Sequence, residues 1–336
     1  MMKKIVMSMA LALVFSGCVE SQKSAKKELA IVTATAKEGK IKFKSNNCYD
    51  YSNILDGPED DPQVEVFGYL KIPKNADEKV PAIVFVHGAG GPSKKHKQWL
   101  NRLNKMGIAT FRLNCFKPRG VISTVGNLTR VTSSMMVVDS YNALKLLSEH
   151  QKIDRNRIGI MGGSKGGRTA LMAAWEPIRE AMMDNELKFA LHVCIYPGCV
   201  DFEEPEMTGA PILILAGEKD NWTPVQPCFD MSEKLMEAGY DVKVIAYPGA
   251  YHSFDADYEV KEIDFAWSYE KCRFCIMKNG ETFETTSGLS MSDPKTKTEA
   301  FKKCAKRGPK AGQNSKACKQ ALNDMSVFVT SIFGLE

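Results

Sequence analysis

The chain reads as an α/β protein with one mostly parallel sheet and helices on both faces. Two observations predict this. Strand-like runs alternate with helical patterns along most of the chain, and several runs are apolar throughout, as strands buried on both faces require. With 336 residues, 44% of them apolar, and no internal repeat, the chain can bury one large core. Strands are expected near 64–72, 82–86 and 108–112, with a helix at 95–106 between the second and third. A helix near 133–150 precedes the short buried run 157–161, and the Ala-, Leu- and Met-rich stretch 166–175 reads as the next helix. A strand at 189–195 follows. Residues 212–216, an apolar run bounded by Pro211 and Gly217, look like a fully buried parallel strand. A helix at 227–238, a strand at 242–247 and a helix at 319–333 complete the pattern.

Three short strings carry chemistry: Gly162-Gly163-Ser164-Lys165-Gly166-Gly167, Gly217-Glu218-Lys219-Asp220 and Tyr251-His252-Ser253-Phe254. Each follows an expected strand, in the order nucleophile, acid, base that α/β-hydrolases use. Ser164 falls on a sharp strand-to-helix turn, where glycines at 162 and 166 remove Cβ atoms that would collide. A serine hydroxyl is a poor nucleophile at neutral pH, so a base must take its proton and a third group must orient that base. Of five histidines, His87 opens a glycine loop, His96 lies in a lysine-rich stretch expected at the surface, His150 ends a helix and His192 sits inside a strand. His252 alone comes after the acid at a strand end. Asp220 is the preferred acid over Glu218 and Asp255 because it stands clear of the strand end while still facing the cleft. The run Val80–Val86 feeds His87-Gly88-Ala89-Gly90-Gly91, a loop suited to supplying an oxyanion donor. The Ala89 and Lys165 amides are the expected pair.

On these strings the chain resembles the dienelactone hydrolase family of the α/β-hydrolase superfamily, over about residues 64–255. The resemblance also rests on Phe116-Lys117-Pro118-Arg119-Gly120-Val121, on Asn221-Trp222-Thr223-Pro224 after the acid with Cys228 beyond it, and on Tyr247-Pro248-Gly249-Ala250 before the base. It implies an α/β-hydrolase fold and a serine carboxylester hydrolase needing no cofactor or metal, with a small-molecule ester as substrate. The founding enzymes carry a cysteine nucleophile, whereas position 164 is serine, so dienelactone itself is not the expected substrate. Phe116, Arg119 and Trp222 are candidates for the pocket walls. Two other readings fit parts of the pattern: a prolyl-oligopeptidase-like peptidase, which lacks here the propeller-sized N-terminal region, and a lipid-anchored binding protein that has lost turnover.

At the N-terminus, Lys3 and Lys4 precede an apolar run and Phe15-Ser16-Gly17-Cys18, which reads as a signal peptide over 1–17 ending in a lipobox. Cys18 is the expected lipidation site, 18–45 the lipidated terminus and tether, and 46–336 the single catalytic domain. That makes the protein an exported lipoprotein facing the periplasm or cell surface. Export would favour disulfides among the nine of the ten cysteines that remain once Cys18 is set aside. Cys304 with Cys318 is the pairing local spacing suggests, and Cys272 and Cys275 could pair across the same segment. Cys115, Cys194 and Cys228 are expected as small buried side chains. Residues 256–318 form an insertion before the last helix, either a lid or a stapled surface excursion. The formal charge of +5 is too small for a nucleic-acid partner.

Overall fold

The computed structural model describes residues 38–74 and 78–335, so the expected signal segment and Cys18 lie outside the described residues. The main sheet has eight strands: β1 (Gly39–Asn46), β2 (Gln63–Lys71), β3 (Val80–Val86), β4 (Ala109–Asn114), β5 (Ile153–Gly163), β6 (His192–Ile195), β8 (Ile212–Gly217) and β9 (Val242–Tyr247). Their order is β1-β2-β4-β3-β5-β6-β8-β9, with a short strand β7 (Asp201–Phe202) outside it. Strands β1, β2 and β4 pair antiparallel, and every pair from β4 to β9 is parallel.

The apolar runs are two-sided. In β3, Ala82, Val84 and Val86 point into one core while Ile83 and Phe85 point into the other. In β8, Ile212 and Ile214 divide from Leu213 and Leu215 in the same way. This period-2 division is why an uninterrupted hydrophobic string is a strand covered on both faces. Helices α1 (Tyr51–Asp56), α3 (Ser133–Ser148), α4 (Lys165–Met172), α5 (Glu176–Met182) and α6 (Gln226–Glu237) contribute to the first core. The second lies under α2 (Lys97–Lys105) and the C-terminal helix α8 (Ser315–Phe333), whose Ala317, Ala321, Met325 and Val329 recur at helical spacing.

Several expectations need correction. The folded unit starts at Glu38, not at 46: part of the expected tether is edge strand β1, where Ile41 and Ser45 are buried. The helix foreseen at 166–175 ends at Met172, and α5 follows separately. His96 is buried, not on a surface stretch, and its ring packs 5.0 Å from Phe85. Arg119 does not line a pocket. Its guanidinium grips the fully buried Asp139 at 2.8 and 2.9 Å and bonds Asn47 at 2.7 Å, while Ser45 donates to the same carboxylate. Removing one partner of such a buried pair typically costs about 3–5 kcal/mol, so Arg119 acts through the fold. Phe116 is likewise buried, against the His87 ring.

The insertion is ordered into short pieces. Strands β10 (Lys261–Glu262), β11 (Trp267–Ser268), β12 (Phe274–Ile276), β13 (Thr282–Glu284) and β14 (Leu289–Ser290) precede helix α7 (Pro294–Cys304), then β15 (Lys306–Arg307) and β16 (Lys310–Ala311). β12 pairs parallel with β7, tying the insertion to the segment that follows β6. Cys272 is bridged across the segment to Cys304, so Cys304 is not bridged to Cys318, and both Cys275 and Cys318 are free. A second disulfide joins Cys199 to Cys228, which was expected only as a packing residue. The helical turn of α7 sets the pairing, because it carries Cys304 back over Cys272 while Cys318 faces Gln98 on α2. A 32-residue closure of this kind contributes about 4 kcal/mol in the chain-entropy account.

Burial pushes His87 and His192 down to about 4 and His96 down to about 3, the last helped by neighbouring Lys95. These rings therefore stay neutral in the fold and take up protons when the chain unfolds below about pH 6.5. The stability they contribute is complete above that value and drains away as pH falls toward about 4. Urea titrations between pH 8 and 4.5 should show a flat midpoint above about 6.5 and a steep decline below it. A midpoint independent of pH through that window would contradict these buried neutral rings.

Candidate active site

The site begins where β5 turns into α4. Ser164 has φ 56° and ψ −117°, a backbone conformation that is costly for any residue with a side chain. Its amide donates to the Ile195 carbonyl at 2.8 Å, which ties the turn to β6. The flanking glycines are steric requirements. A Cβ at Gly166 would stand 2.2 Å from the Val86 carbonyl oxygen, and one at Gly162 would stand 2.4 Å from that of Gly166. Lys165 opens α4, so its amide is among those with no acceptor inside the helix. Its ammonium turns away, donating to the Val131 carbonyl and to Thr124 Oγ1.

The glycine loop after β3 packs directly on this turn, since a Cβ at Gly88 would approach the Gly163 carbonyl to 2.9 Å. Ala89 is fixed by its own carbonyl, which accepts from the Thr124 amide at 2.8 Å. His87 donates from Nδ1 to the Gly88 carbonyl and accepts the Cys115 amide on Nε2. It is thus a strut between β3 and the end of β4.

Three elements far apart in the chain meet here. His252 Nε2 lies 2.9 Å from Ser164 Oγ, and His252 Nδ1 lies 2.7 Å from Asp220 Oδ2. Because the carboxylate only accepts, Nδ1 carries the hydrogen and Nε2 presents its lone pair to the serine. The Trp222 and Thr223 amides donate to Asp220 Oδ1 at 2.8 and 2.9 Å. Thr223 Oγ1 reaches Asp220 Oδ2 and, at 3.0 Å, His252 Nδ1. The imidazole is held between the Tyr196 and Trp222 rings, with centroids 4.8 and 4.9 Å away.

The acid and base loops fit together because Gly217 has no side chain: a Cβ there would lie 2.5 Å from the Ala250 carbonyl. The Glu218 and Lys219 amides bond to the Tyr247 and Ala250 carbonyls. Glu218, one rival acid, accepts the Gly249 amide instead of facing the imidazole. Asp255, the other rival, is buried beneath the base loop, taking 2.8 Å and 2.7 Å bonds from Trp99 Nε1 and Tyr196 OH. Burial opposes its ionisation, but Lys95, Trp99 and Tyr196 outweigh this and hold its carboxyl below the usual range. The roles of Thr223 and Tyr196 were not foreseen, although Thr223 sat in a quoted string. Only the folded arrangement brings its hydroxyl to the imidazole.

A cavity of about 150 Å³ opens over Ser164, with Ala89, Lys165 and Trp222 among its lining residues. Trp222 is the one foreseen wall residue found there. Trp267, Tyr269 and Phe274, all from the insertion, close the other side. The arrangement offers an oriented base on a hydroxyl, two backbone amides near it and an aromatic cleft. Among the described residues no group of three or more His, Cys, Asp or Glu could hold a metal ion.

Residues 66–275 match the dienelactone hydrolase family model. The chain is 26% identical over 207 residues to a candidate carboxymethylenebutenolidase of Yersinia pestis, covering 58% of this chain and 76% of that protein. A second such protein, from Methylorubrum extorquens, is 29% identical over 189 residues, covering 53% and 64% of the two chains. Among solved structures, a candidate dienelactone hydrolase from Klebsiella pneumoniae superposes with TM-score 0.52 at 16% identity, covering 87% of this chain and 99% of that one. That likeness concerns the fold alone. With the family model spanning well over half of the sequence, on the same strands and loops that carry the site, this chain belongs to the dienelactone hydrolase family of carboxylester hydrolases.

Proposed function

We propose that the protein is an exported serine hydrolase that cleaves carboxylic esters through an acyl-enzyme on Ser164. The observation that carries this reading is the unbroken hydrogen-bond chain from Ser164 Oγ through His252 to Asp220. His252 Nε2 takes the Ser164 proton as Oγ attacks the ester carbonyl, and the Ala89 and Lys165 amides receive the developing oxyanion. Collapse breaks the bond to the alkoxide oxygen, which leaves with the proton held on Nε2. Water then attacks the acyl-serine, with His252 again as base, and releases the acid. Asp220 keeps the tautomer and stabilises the imidazolium. The relatives named above as candidate carboxymethylenebutenolidases agree with ester or lactone cleavage as the reaction class.

Export rests on the sequence of residues 1–18, and the two disulfides suit an oxidising compartment. Lipid on Cys18 would anchor the enzyme to a membrane.

A fluorophosphonate probe should label the wild type stoichiometrically at Ser164 and leave Ser164→Ala unlabelled, as read by peptide mass spectrometry. Absence of label on folded wild type would favour the binding-protein reading. Asp220→Asn should keep the fold but lower kcat on a nitrophenyl ester by on the order of 10⁴, because the amide stabilises the wrong tautomer. Mass spectrometry of protein from a host that processes lipoproteins should find an N-terminus at Cys18 carrying diacylglycerol, lost in Cys18→Ser. An intact terminus at Met1 would exclude the anchor.

A further inference from the structure

One wall of the cavity carries more positive charge and more idle donors than ester cleavage requires. Arg168 stands one turn of α4 beyond Ser164, about 6 Å along the helix axis, and its guanidinium lies over the Phe274 ring. Lys297 enters from α7 of the insertion, over the Tyr49 ring. Among the described residues no carboxylate comes within ion-pairing distance of either cation. By contrast, the buried Arg119 is neutralised by Asp139. The one acid in the cavity wall, Asp50, is near enough to favour the charged Lys297, yet its Oδ2 accepts from Ser292. Burial and the nearby Arg168 outweigh Asp50 and push Lys297 down to about 8, so the cations are exposed to each other's field.

The same wall holds hydroxyls with hydrogen-bonding capacity to spare. Tyr51 and Thr282 are each 3% exposed, line the cavity, and their oxygens make no well-formed hydrogen bond, nor does that of Tyr49. Arg168 and Ser133 approach the Tyr51 oxygen, which leaves the Tyr51 hydrogen for an acceptor. Leaving a buried hydroxyl unpaired costs about 1–3 kcal/mol, and two partly desolvated cations without a counter-charge add to that. An anion with several acceptor oxygens would relieve both costs at once, forming charge-assisted bonds to the cations and accepting from the hydroxyls.

We propose that Arg168, Lys297, Tyr51 and Thr282 form an oxyanion-binding subsite that selects esters carrying a carboxylate, sulfate or phosphate group. This rests on Ser164 being the nucleophile of the proposed function. It also gives the insertion a chemical role, because Lys297 lies outside the stretch that matches the family model.

The test compares kcat/KM for anionic and neutral members of two ester pairs. In 4-acetoxybenzoate and its methyl ester the charge is on the leaving group; in monomethyl and dimethyl adipate it is on the acyl side. Wild type should prefer the anion at least about tenfold in one pair, and Lys297→Met and Arg168→Gln should each lower that ratio about tenfold. Lys297→Arg should retain most of it. Benzoate, phenyl sulfate and phenyl phosphate as competitive inhibitors then identify which oxyanion is preferred. Wild-type preference for the neutral ester in both pairs, a ratio unchanged in both folded variants, or inhibition by none of the three anions would overturn the proposal. If wild type cleaves no ester, the hydrolase reading fails. The subsite is then judged by calorimetry on Ser164→Ala, where monomethyl adipate must bind more tightly than dimethyl adipate.

Discussion

The close approach of backbone to backbone at the β5–α4 turn is the constraint from which the site follows. The Val86 and His87 carbonyls occupy the space that a Cβ at position 166 would need, and the Gly166 carbonyl occupies that of position 162. Only with both side chains absent can β3, β5 and α4 converge. That convergence lifts Ser164 into a conformation costing on the order of 1–3 kcal/mol, held by the surrounding sheet. The same turn presents the free amide of Lys165 and, one helical turn on, Arg168. The serine hydroxyl, the free amide and the cation thus share one geometric cause.

The imidazole of His252 is held by different means. His252 lies on a loop, and loops are positioned only by what they touch. Tyr196 and Trp222 confine its ring, the Gly312 amide bonds its carbonyl, and Asp255 anchors Tyr196 and Trp99 below it. Tyr196 and Ser253 themselves have positive φ. Strain is therefore concentrated at Ser164 and at residues that pack on or adjoin His252, and the buried Asp255 with Lys95 nearby stabilises the latter side. Orientation here comes from packing and hydrogen bonding acting together, since neither the loop nor the ring is part of a regular element.

The insertion converts an open cleft into a walled cavity. Its short strands attach through β7, its disulfide bridges Cys272 to Cys304, and its Glu284 carboxylate gathers the amides of Arg273, Thr286 and Ser287. These devices fix a segment built of short pieces rather than long regular elements. Its aromatic side chains then face Ser164 across the pocket, so the insertion helps to shape the space above the serine.

Much of this was legible in one dimension. The parallel strands of the main sheet and the helices α2, α3, α4, α6 and α8 follow from apolar runs and helical periodicity, because burial on both faces leaves a continuous hydrophobic string. Ser164, Asp220 and His252 stand at strand ends, where this architecture collects its functional loops, so their strings could be read together. Edge strand β1 escaped notice because half its residues face water and its signal resembles a polar tether. The cysteine partners, the burial of His96, the pairing of Arg119 with Asp139 and the unpaired cations of the cavity were decided by tertiary structure alone. Each depends on side chains brought together from distant positions, and spacing along a chain does not encode that distance.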